Sequence, residues 1–305
     1  MRRRAIRLLI GTMLVLVAAT APSAVQARQL TDWGQADKVP NVNDPAAADG
    51  CPIESPDGLS LYIASTRRGD PNDIWVATRD STAAEFGTPT MLPAPVNSNA
   101  ADFCPTPLHG KYLLFVSNRG GVDAYGTEAC GGGDIYITRR SPATGDWEEP
   151  RNLGCAPNGP NSSGTEYGPS LLETDAGTLL FFSSGGPITP VPNGTQDIYL
   201  SWQLADGSFG PPEPVAELNT SSDDVMPNVS KDGLEIVFAS TRQGGAFDIY
   251  GSTRSSVGDP WSSPVNLGPA VNTDAGETRP SLSWDGERLY FGRAGEIYVS
   301  ERIKD

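Results

Sequence analysis

The chain has 305 residues, a net charge of −15, 34 glycines and 27 prolines, and very few lysines. An acidic surface of this kind repels nucleic acid and anionic lipid, and it invites cations or basic partners. The turn-rich composition, with no long capped helical period, points to an all-β protein.

Residues 1–27 read as an export signal: a basic MRRRAIR, an apolar LLIGTMLVLVAAT, and Val25-Gln26-Ala27 as the cleavage site. The apolar run is too short to span a bilayer. No cysteine follows the cut directly, so no lipid anchor is expected. Residues 28–305 are therefore expected to be exported, to periplasm or medium, as a monomer without a membrane span.

From residue 49 onward one pattern recurs five times. Its prolines stand at 52, 105, 169, 227 and 280, spaced 53 to 64 residues apart. A unit repeated at that period implies a propeller or a solenoid. The clearest copy is DVMPNVSKDGLEIVFASTRQGGAFDIYGSTR, residues 224–254. Each copy reads as four strands. A short one follows the proline, and Asp-Gly or Asp-Ala-Gly turns it into an almost wholly apolar second strand (LYIAS, LLFVS, LLFFSS, EIVFAS, LYFG). The third opens on an acid (DIWVATR, DIYITRR, DIYLSW, DIYGSTR, EIYVSE). The fourth begins with an aromatic residue three before a proline: Phe86, Trp147, Phe209 and Trp261. Five such repeats make a five-bladed β-propeller of four-stranded antiparallel blades.

The last repeat stops after its third strand. Trp33 lies 19 residues before Pro52, the distance that separates Trp261 from Pro280. Residues 31–41 are thus predicted to supply the outer strand of blade five and close the ring, which removes an exposed edge.

The pattern P-x-x-S-x-D-G-x-x-[LI]-x-F-x-S-x-R-x-G-G-x-D-I-Y resembles the WD40-like β-propeller repeat of the TolB family, over essentially all of residues 30–302. The resemblance implies a platform for binding rather than a catalyst, since fold alone does not assign function. Three departures stand out. Blade two has Leu108-His109-Gly110 in place of the Asp-Gly turn, blade three lacks the arginine after its serine, and there are five copies where TolB has six.

An acid sits three residues before each proline: Asp49, Asp102, Glu166, Asp224 and Glu277. An asparagine precedes each one: Asn43, Asn97, Asn161, Asn219 and Asn272. The topology brings the five carboxylates toward one mouth of the central channel. Two readings stand side by side. Either each acid caps its own loop, or the ring holds a hard cation such as Ca²⁺; no other cofactor is called for. The arginines Arg67, Arg119, Arg242 and Arg293 and the third-strand acids Asp73, Asp134, Asp248 and Glu296 flank one loop in each blade and are expected to form ion pairs there.

On the acid-bearing face two loops are enlarged, 120–133 in blade two and 185–196 in blade three, and such loops carry specificity. In an exported chain four cysteines favour disulfides. Cys51 and Cys104 occupy equivalent places in adjacent blades, and Cys130 and Cys155 both lie on the decorated face, so the expected pairs are 51–104 and 130–155. No Cys-x-x-Cys spacing suggests zinc. The lone His109, in a turn on the opposite face, argues against a Ser-His-Asp triad.

The sequence thus points to an exported, non-catalytic platform binding a protein or a cell-envelope glycan through its acid-rimmed face. The alternative is a five-bladed propeller glycoside hydrolase in which Asp49, Asp102 and Glu166 supply acid and base.

Overall fold

The computed structural model describes residues 33–109, 111–186, 188 and 196–302; the export signal expected at 1–27 lies outside them. Twenty strands form five antiparallel sheets of four. Blade one holds β2 (Asp49–Glu54), β3 (Ser60–Ser65), β4 (Asp73–Thr78) and β5 (Thr90–Met91). Blade two holds β6 (Asp102–Pro107), β7 (Tyr112–Ser117), β8 (Asp134–Arg139) and β9 (Arg151–Asn152). Blade three follows with β10 (Glu166–Thr174), β11 (Gly177–Ser184), β12 (Asp197–Trp202) and β13 (Glu213–Pro214). Blade four has β14 (Asp224–Val229), β15 (Glu235–Ser240), β16 (Asp248–Thr253) and β17 (Val265–Asn266). Blade five has β18 (Glu277–Leu282), β19 (Arg288–Arg293) and β20 (Glu296–Glu301). Its outer strand is β1 (Asp37–Lys38), from the other end of the chain.

The ring therefore closes as the aromatic spacing predicts. Asp37 and Lys38 pair with Val299 and Tyr298, and Trp33 bridges Arg302. The outer strands are shorter than the sequence suggests. The aromatic residue that marks each one lies before the paired dipeptide, where Trp33, Phe86, Trp147, Phe209 and Trp261 are all buried. In four blades an arginine from the end of the third strand covers that ring: Arg302 on Trp33, Arg79 on Phe86, Arg140 on Trp147 and Arg254 on Trp261, 4.1–4.5 Å from the centroids.

The second strands are buried on both faces because each is sandwiched between neighbouring blades. One apolar cluster fills each junction; between blades three and four it contains Phe181, Ile198, Ile236, Phe238 and Trp261. Truncating such a phenylalanine to alanine costs about 3–5 kcal/mol.

The innermost strands share an irregularity that sequence does not announce. Two residues after each acid the chain turns to positive φ, at Cys51, Cys104, Gly168, Met226 and Arg279 (46–61°). The strand register shifts at each of these places, so every inner strand carries a bulge. Two residues further on, side chains tie blade to blade. Thr106 Oγ1 donates to Pro169 O at 2.5 Å, and Ser281 Oγ to Pro52 O at 2.7 Å. Ser170 Oγ accepts from Val229 N at 3.1 Å, and Asn228 Oδ1 from Leu282 N at 2.9 Å. Between blades one and two the equivalent residue is Ile53, which makes no such bond, and there the Cys51–Cys104 disulfide joins the blades. Cys130 and Cys155 form the second disulfide, as expected.

Candidate functional site

The five acids opening β2, β6, β10, β14 and β18 are no more than 2% exposed. Each is turned into its own entry loop. Asp49, Asp102, Glu166, Asp224 and Glu277 accept the backbone N–H of Asp44, Ser98, Ser162, Thr220 and Thr273 at 2.6–3.0 Å. In four blades the residue at that loop position is a serine or threonine whose hydroxyl donates to the same carboxylate. The asparagines work from the other side. Asn97 accepts from Ile74 N through Oδ1 at 2.7 Å and returns Nδ2 to Ile74 O at 2.9 Å, replacing a strand partner for the start of β4. Asn43, Asn161, Asn219 and Asn272 do the same for Ile297, Ile135, Ile198 and Ile249.

The arginines complete this clamp, with partners other than those the sequence suggests. Arg67 binds Asp49 at 2.9 Å, Arg119 binds Asp102 at 2.7 Å and Arg293 binds Glu277 at 2.7 Å, while Arg242 pairs with Asp224. The expected pairs with Asp73, Asp134, Asp248 and Glu296 do not form. The reason is geometric. Asp224 and Asp248 flank Ser240 on opposite sides of β15, so loop length leaves either acid within reach. Turned inward, however, each arginine also donates to the loop carbonyl before the asparagine (Val42, Val96, Leu218, Val271) and lies over a buried or partly buried ring. The third-strand acids find other partners. Asp73 takes Arg68 and Glu296 takes Lys38, while Asp134 and Asp248 take Asn152 and Asn266.

Blade three is the exception. Gly186 stands where the arginine would be, and a Cβ there would meet Ser162 Oγ at 2.1 Å, so no larger residue fits. Glu166 is left with Ser162 and Ser184 hydroxyls on Oε1, at 2.5 and 2.8 Å, and with Oε2 buried and unpartnered. Burial pushes its carboxyl up to about 7 despite those hydrogen bonds. Among the described residues Asp197, opening β12, also has no hydrogen-bond partner on either oxygen, and burial with the charges of Asp224 and Asp223 pushes it up to about 6.

The acids are thus walls of five separate loop clamps rather than a ligand-facing rim. They do not fit a shared Ca²⁺: each carboxylate is turned into its own loop, and among the described residues no three His, Cys, Asp or Glu side chains converge as a metal set. The blade-two insertion is likewise tied down. Asp123 accepts from Tyr125 N, Thr127 N and Asn152 N at 2.8–2.9 Å, and Gly132 N donates to Gly164 O of blade three at 2.7 Å. Most of the blade-three insertion, residues 187 and 189–195, lies outside the described residues.

Open space is found on the other side of the ring. Four cavities, of about 460, 310, 150 and 40 Å³, all share Leu108, in the blade-two turn that departs from Asp-Gly. None is lined by a clamp acid. The largest runs between blades two and three past the exposed Tyr112 and Tyr125. At the channel mouth Trp284 of blade five meets His109 edge to face at 4.8 Å, with Lys231 5.2 Å from its ring. Lys111, Arg139, Arg140 and Arg151 line the same cavities beside Asp57, Glu148, Glu149 and Glu173, so the patch is aromatic and mixed in charge. The sequence places His109 in a turn on this face and assigns it no role. It leaves Trp284, Lys231 and Tyr112 unmarked, their one signal being the irregular turn.

No protein-family profile and no curated protein matches the chain by sequence. Solved structures do match its shape. An α-L-arabinofuranosidase from Lactobacillus brevis gives a TM-score of 0.55 at 14% identity, covering 88% of this chain and 94% of that one. The catalytic domain of a GH62 α-L-arabinofuranosidase from Coprinopsis cinerea gives 0.56 at 12% identity, over 90% and 97%. A putative TolB from Agrobacterium tumefaciens gives 0.45 at 17% identity, over 85% and 76%. At such identities the likeness is one of fold: the chain is a five-bladed β-propeller.

Proposed function

We propose that this chain is an exported, non-catalytic propeller that holds a protein or a cell-envelope glycan, and that it does so at the mouth around Leu108 rather than on the acid-bearing face. One observation carries the reading. All five acids are spent on their own loops, while aromatic side chains and charged ones of both signs, contributed by all five blades, line cavities that share Leu108. Aromatic faces with a few placed polar groups suit a sugar or a peptide segment.

The hydrolase reading needs a general acid and a base facing one substrate. A carboxyl held near neutrality, such as Glu166, is what a general acid requires. Glu166 nevertheless lines none of the cavities described and is fully buried. Export is supported by the two disulfides and by the leader-like residues 1–27.

The test is a glycan array followed by titration of the best hit and of purified envelope glycan. Trp284→Ala and Tyr112→Ala are expected to weaken binding by about tenfold or more with an unchanged melt, as loss of a stacking anchor does. Binding that survives both changes but disappears when residues 185–196 are shortened would return the site to the acid-bearing face.

A further inference from the structure

The five bulge residues of the inner strands sit at one level of the propeller axis, and they are an unlike set: Cys51, Cys104, Gly168, Met226 and Arg279. The two cysteines are joined. Gly168 leaves room for a neighbour, since a Cβ there would lie 2.5 Å from Arg279 Nη1. The arginine fills that room. It is 1% exposed, and it reaches from blade five across the axis to blade two, where Nη2 donates to Thr106 Oγ1 at 3.1 Å. That hydroxyl is already committed as a donor to Pro169 O.

Among the described residues nothing else compensates the guanidinium. Its Nε and Nη1 have no hydrogen-bond partner, and among the described residues no carboxylate pairs with it. Glu277, two residues away, is taken by Arg293 and Thr273. Burial lowers the arginine to about 9, which still leaves it charged at neutral pH. A buried charge with no counter-charge and a single hydrogen bond is costly to keep in a folded protein. All other arginines of the inner clamps have a carboxylate. Thr106, the one residue that Arg279 bonds, separates the guanidinium from a cavity of about 40 Å³ that Glu54, Ser170, Asn228 and Lys231 also line and Arg279 does not.

We infer that the propeller axis holds a small monovalent anion of the halide class against the guanidinium of Arg279. One negative charge balances one guanidinium. The narrow axis and the chain's net charge of −15 exclude a polyanion. Seated there, the anion supplies the acceptor that Nε or Nη1 lacks and ties blade five to blades two and three. The axis is then a closed structural plug and not a passage for ligand.

Crystals of the protein grown or soaked in bromide test this directly. Anomalous density is expected within hydrogen-bonding reach of the Arg279 guanidinium, and water alone at that place would overturn the assignment. In solution, melting in chloride is compared with melting in gluconate at matched ionic strength. A ligand of the native state raises the midpoint, here by roughly 2–4 °C, and Arg279→Met should abolish the difference. An equal melt of the wild type in both salts, or a difference that persists in Arg279→Met, contradicts the proposal. Should that variant fail to fold, the bromide map and the wild-type salt comparison still decide.

Discussion

Blades three and four carry the same loop clamp, built once with an arginine and once without. In blade four Asp224 takes Thr220, Ser240 and Arg242, and the arginine also holds the carbonyl of Leu218. In blade three Glu166 has the two hydroxyls and no cation, because Gly186 is packed against Ser162 and Gly164. The loop is held in both. What changes is the state of the carboxyl: one is a buried ion pair, the other a buried acid poised near neutrality. The comparison shows that the hydroxyl and backbone donors set the geometry of the clamp, while the arginine sets its charge.

The largest expected effect comes from breaking the charged version. Asp224→Asn leaves the partly buried Arg242 without its counter-charge and should cost about 3 kcal/mol, as removal of one partner from a largely buried pair does. Glu166→Gln should cost nothing at pH 8, where the wild-type carboxyl is forced to ionise, and should raise the melting temperature there. Urea unfolding of both variants checks this, and equal losses would mean that the two blades do not differ in charge state.

The next effect is one of pH. Glu166 binds its proton up to about 7 in the folded chain and only to an ordinary carboxyl value near 4.5 when unfolded. Between those values the native state holds the extra proton. Its contribution is therefore fully favourable below about 4.5, declines as pH rises, and is lost above about 7, a change of order 3 kcal/mol. Asp197 acts in the same direction up to about 6. Unfolding free energy of wild type minus that of Glu166→Gln, followed from pH 4.5 to 8, should fall with pH. A flat difference would place an unseen cation beside Glu166.

Smallest is the effect of the shared hydroxyl. Ser240→Ala and Ser184→Ala each remove one hydrogen bond to a buried carboxyl. A loss of about 1–3 kcal/mol is expected for each. Ser184→Ala should be the milder below pH 6, where Glu166 is protonated, and thermal melts at two pH values would reveal the opposite order if it held.

Much of this could be read from the chain. The five repeats, the closure of blade five through Trp33 and both cysteine pairs follow from spacing, because a propeller turns sequence period directly into position around an axis. The missing arginine of blade three was visible too, though not that Gly186 forbids it. Partner choice was not legible. Arg242 stands two residues past Ser240, with Asp224 on one side and Asp248 on the other, and burial rather than distance along the chain decides between them. The mouth around Leu108 was hidden for a different reason. His109 and Trp284 meet only because blades two and five face each other across the axis. Arg279 was equally silent, since its meaning depends on a bulge and on a glycine in another blade.

If the clamp acids are structural, none of them is needed for turnover of a bound glycan, and a single assay tests that most directly. Purified wild-type protein and its Asp49→Asn, Asp102→Asn and Glu166→Gln variants are incubated with whichever glycan the array identifies, and released reducing sugar is measured beside binding. Binding without release is predicted for the wild type, with affinity retained in every variant that folds. Release of sugar by the wild type that is lost on changing any one of those three acids would contradict it.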